Sequence, residues 1–351
     1  MKQLQNNNIS FKGQKVFVGI DVHKRSWTVT AITRPYLKTQ ATMPPSADAL
    51  RAFLESAFPD AEYVAAYESG FTGFSTYYLL VDRGIECHIM NAADIPTSQY
   101  DKVMKTDKVD SRKIAETLMS GNFREVHPRP KDDLDDRTFC RLGAKLRKQI
   151  ASCKVRAKHL LHTNGVAIPE RFGEKRTYWS KAFSEWLLSA KLLSDTNHSM
   201  KLIVNQVASL RKNLLEVDRH IRNLSQSPKY APCFNALRTI PGIGIVTAMH
   251  LIVEVGTDMS RFPNERAFAS YLGLVPTCHD SGDSKSAGKK TFRGNKVLGT
   301  LLVEASWKAI INCPELGLYY NAQIKKIKPQ KAIIKVARKL SNIIFHKMKS
   351  A

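Results

Sequence analysis

The sequence lacks the features that mark several common classes of protein. Its six cysteines form no C-x-x-C pair and are accompanied by no paired histidine spacing, which argues against a zinc site and against a disulfide framework. No apolar run approaches the roughly 20 residues of a membrane-spanning helix. The polar start, MKQLQNNNIS, is unlike a signal peptide. We therefore expect a cytoplasmic protein with reduced thiols.

Acidic residues are few in comparison with basic ones. The chain has 54 Lys and Arg against 31 Asp and Glu, which gives a formal net charge of +23. From Lys285 to the C-terminus there are fifteen Lys or Arg and only two acids, Glu304 and Glu315. A high charge by itself favours solubility or attraction to any polyanion. Its uneven placement is more typical of a nucleic-acid-binding protein, since basic side chains neutralise phosphates.

The pattern of elements changes twice along the chain. Residues 14–128 interleave Val- and Ile-rich strands with helices, which predicts a mixed sheet covered by helices. Residues 131–228 repeat apolar positions at helical spacing, which predicts two long helices with a shorter helix between them. Residues 230–351 predict a mostly helical unit that ends in a basic tail. The expected fold class is therefore α/β plus α, with a coiled-coil-like middle region.

Two features of the helical part leave alternatives open. The long helices could form a dimer or an intramolecular hairpin that spaces two domains. The segment PGIG, with Gly242 and Gly244, lies between two predicted helices and indicates a helix-hairpin-helix turn. Its glycines could expose amide groups to a DNA phosphate. Alternatively, the same glycines serve only a tight packing turn.

Four carboxylates lie where strands or helices are predicted to begin or end. Asp21 follows an apolar run in VFVGIDVHK, and Glu68 closes VAAYE. Asp107 and Asp110 lie three residues apart, on one face of a predicted helix in KTDKVDSRKIAETL. Considered singly, each acid is better explained by a structural role. Asp107 and Asp110 would favour the helix start as capping residues, Asp21 would be a turn aspartate, and Glu68 would end a strand. Together, the four acids predict a site for a divalent cation such as Mg²⁺, which prefers carboxylate oxygens.

In its ordered motifs the chain resembles the insertion sequence 110/1111 family of transposases, which are related to the Piv invertases. The acids in GIDVHK, YES and KTDKVDSRKIA match that family's DEDD signature. The segments LRTIPGIGIVTA, FASYLGLVP, DSG and RGNKVLGTLLVEASW resemble its C-terminal domain. The resemblance covers about residues 15 to 320. It implies an N-terminal domain with the ribonuclease H fold, similar to the resolvase RuvC, in which Asp21, Glu68, Asp107 and Asp110 bind Mg²⁺ or Mn²⁺.

The resemblance also implies a serine nucleophile in the polar stretch after GLVP. Ser281, which is followed by Gly282, fits the family position best, while Ser284 and Ser286 stay open. On the residues alone, this stretch would be a loop that touches phosphates, because serine is a poor nucleophile without activation. The expected cationic contacts to nucleic acid are Lys285, Lys289, Lys290, Arg293 and Lys296.

The sequence therefore predicts a DNA recombinase that cuts and rejoins strands, acting with donor and target DNA in the bacterial nucleoid. The family further implies a non-coding guide RNA, whose base pairing would supply sequence specificity. A homo-oligomer, dimer or tetramer, would suit two DNA duplexes and could assemble the working site between protomers. The alternatives are a RuvC-like structure-selective nuclease that uses metal-activated water, and a non-catalytic nucleic-acid-binding protein.

Overall fold

The computed structural model of the chain describes residues 10–34, 37–97, 106–173, 177–281, 284–290 and 294–351. The chain divides into two compact units, Met1–Pro130 and Lys131–Ala351. A further division near residue 230 stays a prediction. Among the helices in the described ranges, none is both long and apolar enough to cross a membrane.

The first unit is built on a mixed five-stranded sheet. Its strands are β1 (Lys15–Val22), β2 (Trp27–Thr33), β3 (Leu37–Met43), β4 (Glu62–Glu68) and β5 (Glu86–Met90). Its helices are α1 (Ala47–Ala57), α2 (Ser75–Val81) and α3 (Asp107–Ser120), with a short 3₁₀ turn at Ala92–Asp94. The strand order is β3-β2-β1-β4-β5. β1 pairs with β2 and β2 with β3 in antiparallel fashion, whereas β1–β4 and β4–β5 are parallel. The predicted mixed α/β architecture is confirmed.

The two faces of the sheet bury different helices. Alternate residues of β1, such as Val18 and Ile20, pack with Leu50 and Leu54 of α1 and with Leu80 of α2. On the opposite face, Val64 and Ala66 of β4 pack with Ile114 and Leu118 of α3. Because side chains alternate along a strand, residues 17, 19 and 21 of β1 face α3 as well. Helix α3 therefore covers the face toward which Asp21 points.

Strand β1 can lie against α3 because residue 19 is a glycine. A Cβ on Gly19 would lie 2.1 Å from the carbonyl oxygen of Ser111 and 2.4 Å from the amide nitrogen of Ala115. No side chain fits at those distances, so the backbones of strand and helix are in direct contact. Helix α3 ends at Gly121, which adopts the left-handed conformation (φ 68°) that predicts a helix stop.

The second unit is mainly helical. Its long helices are α4 (Lys131–Thr163) and α6 (Ser194–Ser225), with α5 (Lys181–Ser189) between them and a 3₁₀ turn at Glu170–Phe172. Then follow α7 (Ala231–Arg238), α8 (Ile245–Val255), α9 (Glu265–Tyr271), the strands β6 (Pro276–Ser281) and β7 (Ser284–Lys290), α10 (Lys296–Asn312), α11 (Pro314–Ile324) and α12 (Pro329–Lys349).

Helices α4 and α6 run antiparallel to each other. Residues near the start of α4 meet the end of α6, as Gly143 does with Val217. Residues farther along α4 meet earlier positions of α6, as the Cys153 thiol does when it donates to Gln206 at 3.3 Å. The distal part of this pair has its own core around Phe172 and Phe183, whereas its base shares a larger core with α7–α12.

The basic tail predicted after α10 is instead helical, as α11 and α12. Helix α12 carries apolar residues at helical spacing, and Val336, Leu340 and Ile344 are fully buried in the core of the second unit. Its lysines occupy the opposite side. The concentration of charge concealed this amphipathic pattern, which only becomes clear when the apolar positions are read at a period of 3.6 residues.

We predict that Gly19→Ala destabilises the first unit by about 3 kcal/mol or more, because the added methyl forces α3 away from β1. Denaturant unfolding measures this change in the free energy of unfolding. Gly70→Ala is the matched control: a Cβ there would lie no closer than 3.7 Å to Glu68 O, so stability should change by less than about 1 kcal/mol. Equal stability of both variants would contradict the direct contact.

The imidazole of His250 in α8 is completely buried, and both of its ring nitrogens lack a hydrogen-bond partner among the described residues. Burial lowers the pKa of His250 to about 4, opposed by the charge of Glu254 and assisted by those of Arg147 and Arg141. The unfolded chain therefore binds a proton near pH 6.5, whereas the folded chain does so only near pH 4.

We predict that stability is lost as the pH falls from about 6.5 to about 4, by about 3 kcal/mol from this residue. Chemical unfolding across that range measures the loss. His250→Leu should flatten this part of the profile, whereas alanine at the exposed His198 should leave it unchanged. A profile that His250→Leu does not alter would contradict the prediction.

Candidate active site

Three of the four predicted carboxylates lie on β1 and α3 at one edge of the sheet. Asp21 is the penultimate residue of β1, and Asp107 and Asp110 lie in the first turn of α3. Oxygens of Asp21 and Asp107 and a nitrogen of His23 all lie within 4.8 Å of one another. The charges of both α3 aspartates act on Asp21. Residues distant in sequence therefore form one acidic cluster.

Glu68 ends the neighbouring strand at the same edge. The parallel register pairs Ile20 of β1 with Tyr67 of β4, so Asp21 and Glu68 follow side by side. Alternation along β4 places Glu68 on the face that Val64 and Ala66 turn toward α3. The Glu68 side chain is exposed, and it is not among the groups whose donor atoms converge within 4.8 Å in the described part of the chain. The strand register thus places Glu68 at the same end of the sheet, outside the group of donor atoms that converge within 4.8 Å.

Buried polar contacts fix the first turn of α3 over the sheet. The hydroxyls of Thr30 on β2 and Ser111 on α3 lie 2.8 Å apart, and both residues are fully buried. Gln40 on β3 donates through its amide nitrogen to the Thr30 hydroxyl at 2.8 Å and to the carbonyl of Lys108 at 3.0 Å. These bonds hold the turn that carries Asp107 and Asp110 in register with β1.

Helix capping does not account for the aspartate pair. The N-cap of α3 is Thr106, whose side chain accepts from the amide of Val109 at 3.4 Å. Asp107 and Asp110 follow inside the helix, where Asp110 lies 3.6 Å from the amine of the buried Lys113. Their carboxylates still favour the helix dipole. Because the cap is supplied by a threonine, the side chain of Asp107 is left to face Asp21 and His23.

The surroundings of Asp21 disfavour its ionised form. Partial burial raises the pKa of Asp21 above its ordinary value. The charge and hydrogen bond of His23 oppose this rise, and the charges of Asp107 and Asp110 add to it. A raised carboxyl pKa means that ionised Asp21 is costly in its present surroundings. A bound cation would remove that cost.

His23 is the residue of this cluster to which the sequence reasoning assigned no role. It lies two residues after Asp21 in GIDVHK, and its Nε2 atom is 3.2 Å from Asp21 Oδ2 and 3.5 Å from Asp107 Oδ1. The available signal was its position: a residue two places after Asp21 points to the same side of an extended chain.

The predicted serine loop is a β-hairpin. Strands β6 and β7 are antiparallel, with Ser281 paired to Ser284 at the tip and His279 paired to Ser286 two positions below. The side chains of these serines, and those of Lys285, Lys289 and Lys290 on β7, lie outside the described part of the chain, as does Arg293 altogether. The backbone places Ser281 and Ser284 together at the end of the hairpin, so the choice between them stays open.

The base of this hairpin is anchored in the core of the second unit. A Cβ on Gly294 would lie 2.2 Å from the amide nitrogen of Gly273, so the chain segments before and after the hairpin meet backbone to backbone. The Asn295 amide donates to the carbonyl of Tyr271 at 2.7 Å. The prediction of a polar loop was wrong, because the stretch forms a hairpin. Contacts between distant segments hold its two ends together, and no local pattern of Gly, Ser and Lys residues reveals them.

A completely buried carboxylate organises that base. Glu254 of α8 accepts from Arg137 at 3.0 Å, from Arg141 at 2.5 and 2.9 Å, and from the Asn295 side chain at 2.9 Å. Burial by itself would raise the pKa of Glu254, but the hydrogen bond from Arg141 and the charges of Arg137 and Arg141 hold it below its ordinary value. The carboxylate therefore stays ionised and links α4, α8 and the start of α10.

The two predicted phosphate-binding helix starts differ in their capping. Asn295 already caps α10 by accepting from the amides of Val297 and Leu298, so those groups are occupied, and Lys296 at this start is exposed. Gly244 begins α8 without a side-chain cap. The α8 start lines a cleft of about 370 Å³ together with Arg222, Lys308, Asp218 and Glu304.

Packing against α10 requires a glycine at position 242. It adopts a φ of 87°, and a Cβ there would lie 2.5 Å from the carbonyl of Ala305 on α10. The packing alternative therefore accounts for Gly242. For Gly244, by contrast, a Cβ would meet nothing within 4 Å, so there is open space beside the N-terminus of α8.

We predict that Glu254→Gln lowers the free energy of unfolding by about 3–5 kcal/mol, because two arginines lose a buried partner charge. Denaturant unfolding at pH 7 tests it. Glu265→Gln is the control: Glu265 pairs with His346 at 3.1 Å but is 40% exposed, so its loss should cost less than about 1 kcal/mol. Equal losses in the two variants would contradict the anchoring role.

Comparison with known proteins gives two matches to family models. Residues 18–164 match a transposase family of the DEDD, IS110 type, and residues 234–321 match a family described as transposase IS116/IS110/IS902. Together they cover well over half of the chain, including every predicted site residue. The first match contains the acidic cluster, and the second contains the β6–β7 hairpin.

Individual relatives are similar over half to three quarters of the chain. The transposase for insertion sequence element IS1533 of Leptospira borgpetersenii is 27% identical, over 72% of this chain and 73% of the relative. The transposase for insertion sequence element IS1111A of Coxiella burnetii is 25% identical, over 77% of this chain and 73% of the relative. A pilin gene-inverting protein of Moraxella bovis is 30% identical, over 50% of this chain and 62% of the relative.

Proposed function

Because the chain belongs to the insertion sequence 110 family of transposases, and is therefore an enzyme that recombines DNA, we propose that it uses two chemical centres. The first is a cation site formed by Asp21, Glu68, Asp107 and Asp110. The second is a serine nucleophile, Ser281, at the tip of the β6–β7 hairpin. The observation that carries this proposal is the convergence of Asp21 and Asp107, 86 residues apart in sequence, at one edge of the sheet.

The strand order of the first unit supports a ribonuclease H-type domain of the RuvC kind. Three antiparallel-connected strands followed by two parallel ones place the ends of β1 and β4 side by side at the centre of the sheet. The helix that follows lies across that same edge. This arrangement brings acids from a first strand, a fourth strand and a helix to one place, which such a nuclease domain requires.

The donor set fits a hard divalent cation. Carboxylate oxygens are the ligands that Mg²⁺ and Mn²⁺ prefer. Burial, together with the charges of Asp107 and Asp110, raises the pKa of Asp21, so a nearby cation would favour its ionised form. Transposases of the DEDD type generally depend on divalent metal. When bound, such an ion would stabilise charge on the scissile phosphate and on the oxygens that enter and leave. The chain's own part is to hold Asp21 and Asp107 at a fixed separation through Gly19 and the Thr30–Ser111 contact.

The serine step is a transesterification. The Ser281 oxygen forms a bond to phosphorus while one phosphorus–oxygen bond of the DNA backbone breaks. The serine proton is lost and the departing strand end gains one, so that it leaves as a hydroxyl. A hydroxyl of another strand can then attack the same phosphorus, which rejoins DNA and returns the serine without any further reactant. The anchored base of the hairpin supports this role, because a nucleophile needs a fixed position.

Nucleic acid would contact basic residues near the hairpin. We assign phosphate contacts to Lys285, Lys289, Lys290, Arg293 and Lys296, and a weaker backbone contact to the uncapped start of α8 at Gly244. The net charge of +23 would attract a guide RNA as it attracts DNA, because both are polyanions. Exposed apolar side chains on α4 and α6, such as Val155 and Leu215, support a homo-oligomer, which stays a prediction.

The test incubates the full chain with donor and target DNA, the element's flanking non-coding RNA and Mg²⁺. Denaturing gels then show whether protein becomes covalently attached to labelled DNA. We expect attachment with the natural chain, at least a hundredfold less with Asp21→Asn, and none with Ser281→Ala. Ser284→Ala and Ser286→Ala are the matched controls and should retain attachment.

The outcomes separate the alternatives. Attachment that persists in Ser281→Ala but disappears in Ser284→Ala would move the nucleophile across the hairpin tip. Metal-dependent strand breaks without any attached protein would indicate a nuclease that uses water. Normal DNA binding without any strand breaks, in the natural chain and in Asp21→Asn alike, would indicate a non-catalytic binding protein.

A further inference from the structure

His23 lies where the two aspartates of the acidic cluster converge. A single atom, Nε2, is 3.2 Å from Asp21 Oδ2 and 3.5 Å from Asp107 Oδ1. The three donor atoms thus surround one point in space, and they come from two different elements, the end of β1 and the start of α3. A ligand set for a cation has this form, because each group offers one atom to a common centre.

A second histidine of the same unit shows the contrast. His88 on β5 also lies between two carboxylates, but it uses different nitrogens: Nδ1 is 2.9 Å from Glu125 and Nε2 is 3.3 Å from Glu86. Its ring therefore bridges two separate acids and offers no shared centre. Two acids beside a histidine are thus not sufficient, and the convergence on one nitrogen distinguishes His23.

The backbone holds His23 in this position. The amide of His23 donates to the carbonyl of Ser26 at 3.0 Å, which extends the pairing of β1 and β2 by one step beyond Val22. Alternation then keeps His23 on the same face as Gly19 and Asp21, toward α3. The ring is half exposed, so it can adjust by the small distance that coordination requires.

We propose that His23 is a nitrogen ligand of the cation bound by Asp21 and Asp107, which makes the site selective for Mn²⁺ over Mg²⁺. This inference rests on the proposed function in assuming a cation site there. As a ligand, the ring would be neutral with its proton on Nδ1, so that the lone pair of Nε2 could face the ion.

The consequence for metal preference follows from ligand chemistry. Mg²⁺ strongly prefers oxygen ligands and gives up its water reluctantly, whereas Mn²⁺ accepts imidazole nitrogen more readily. A site of carboxylates alone would hold both ions in a similar manner. One imidazole in the set therefore shifts the balance toward Mn²⁺, and removing it should shift the balance back.

The test loads the full-length chain with one equivalent of Mn²⁺ and records pulsed electron paramagnetic resonance, which detects nitrogen bonded to the ion. We expect a ¹⁴N coupling in the natural chain that is lost in His23→Ala and kept in His88→Ala, the matched control. In calorimetry, His23→Ala should weaken Mn²⁺ binding by about tenfold or more and change Mg²⁺ binding much less. Asp21→Asn identifies the signal from this site, since it should weaken both ions.

Each other outcome counts against the proposal in a recognisable way. Mn²⁺ binding that depends on Asp21 but shows no ¹⁴N coupling, or a coupling that survives in His23→Ala, would overturn the role of His23 and leave the proposed function standing. Binding that Asp21→Asn does not weaken, or no binding at all, would overturn the cation site itself. Equal loss of both ions in His23→Ala would indicate that the ring only orients the aspartates.

Discussion

The direct contact of helix α3 with strand β1 is the constraint on which the acidic site depends. It exists because residue 19 has no side chain: a Cβ there would occupy the positions of the Ser111 carbonyl and the Ala115 amide. Packing at ordinary helix–sheet distance would move the first turn of α3 away from the end of β1. The buried hydroxyl contact of Thr30 with Ser111 then fixes where along the strand that turn lies. The geometry of the aspartates is thus set by a missing methyl group.

The price of this arrangement is electrostatic. A chain of net charge +23 collects negative charge at one sheet edge, and burial together with neighbouring carboxylates raises the pKa of Asp21. Local conflicts of this kind persist in proteins where function requires them. The second unit shows the opposite solution. There the buried Glu254 is fully matched by Arg137, Arg141 and Asn295, so it supports structure and holds the hairpin base.

Much of the first unit could be predicted, because its strands and helices carry clear local signals. The Val- and Ile-rich runs indicate β1, β2 and β4, and Gly121 marks the end of α3. Strand β3 carries no such signal, because LKTQATM is polar and gains its structure by pairing with β2. The β6–β7 hairpin was missed for a related reason: its ends are joined by a contact of Gly294 with Gly273, 21 residues apart. Helix α12 was not predicted, because its many lysines obscure the helical spacing of its apolar residues.

The sequence by itself predicted which carboxylates, serines and basic residues are candidates for function, and in what order they follow along the chain. That information is local, because residue type and spacing carry it. Only the tertiary structure decided that Gly19 lies against α3, that Gly242 is needed for packing, and that one nitrogen of His23 faces two aspartates. These facts depend on contacts between segments that are far apart in the chain. No local pattern encodes a distance across space, so residues that share a site can be recognised there only after the fold brings them together.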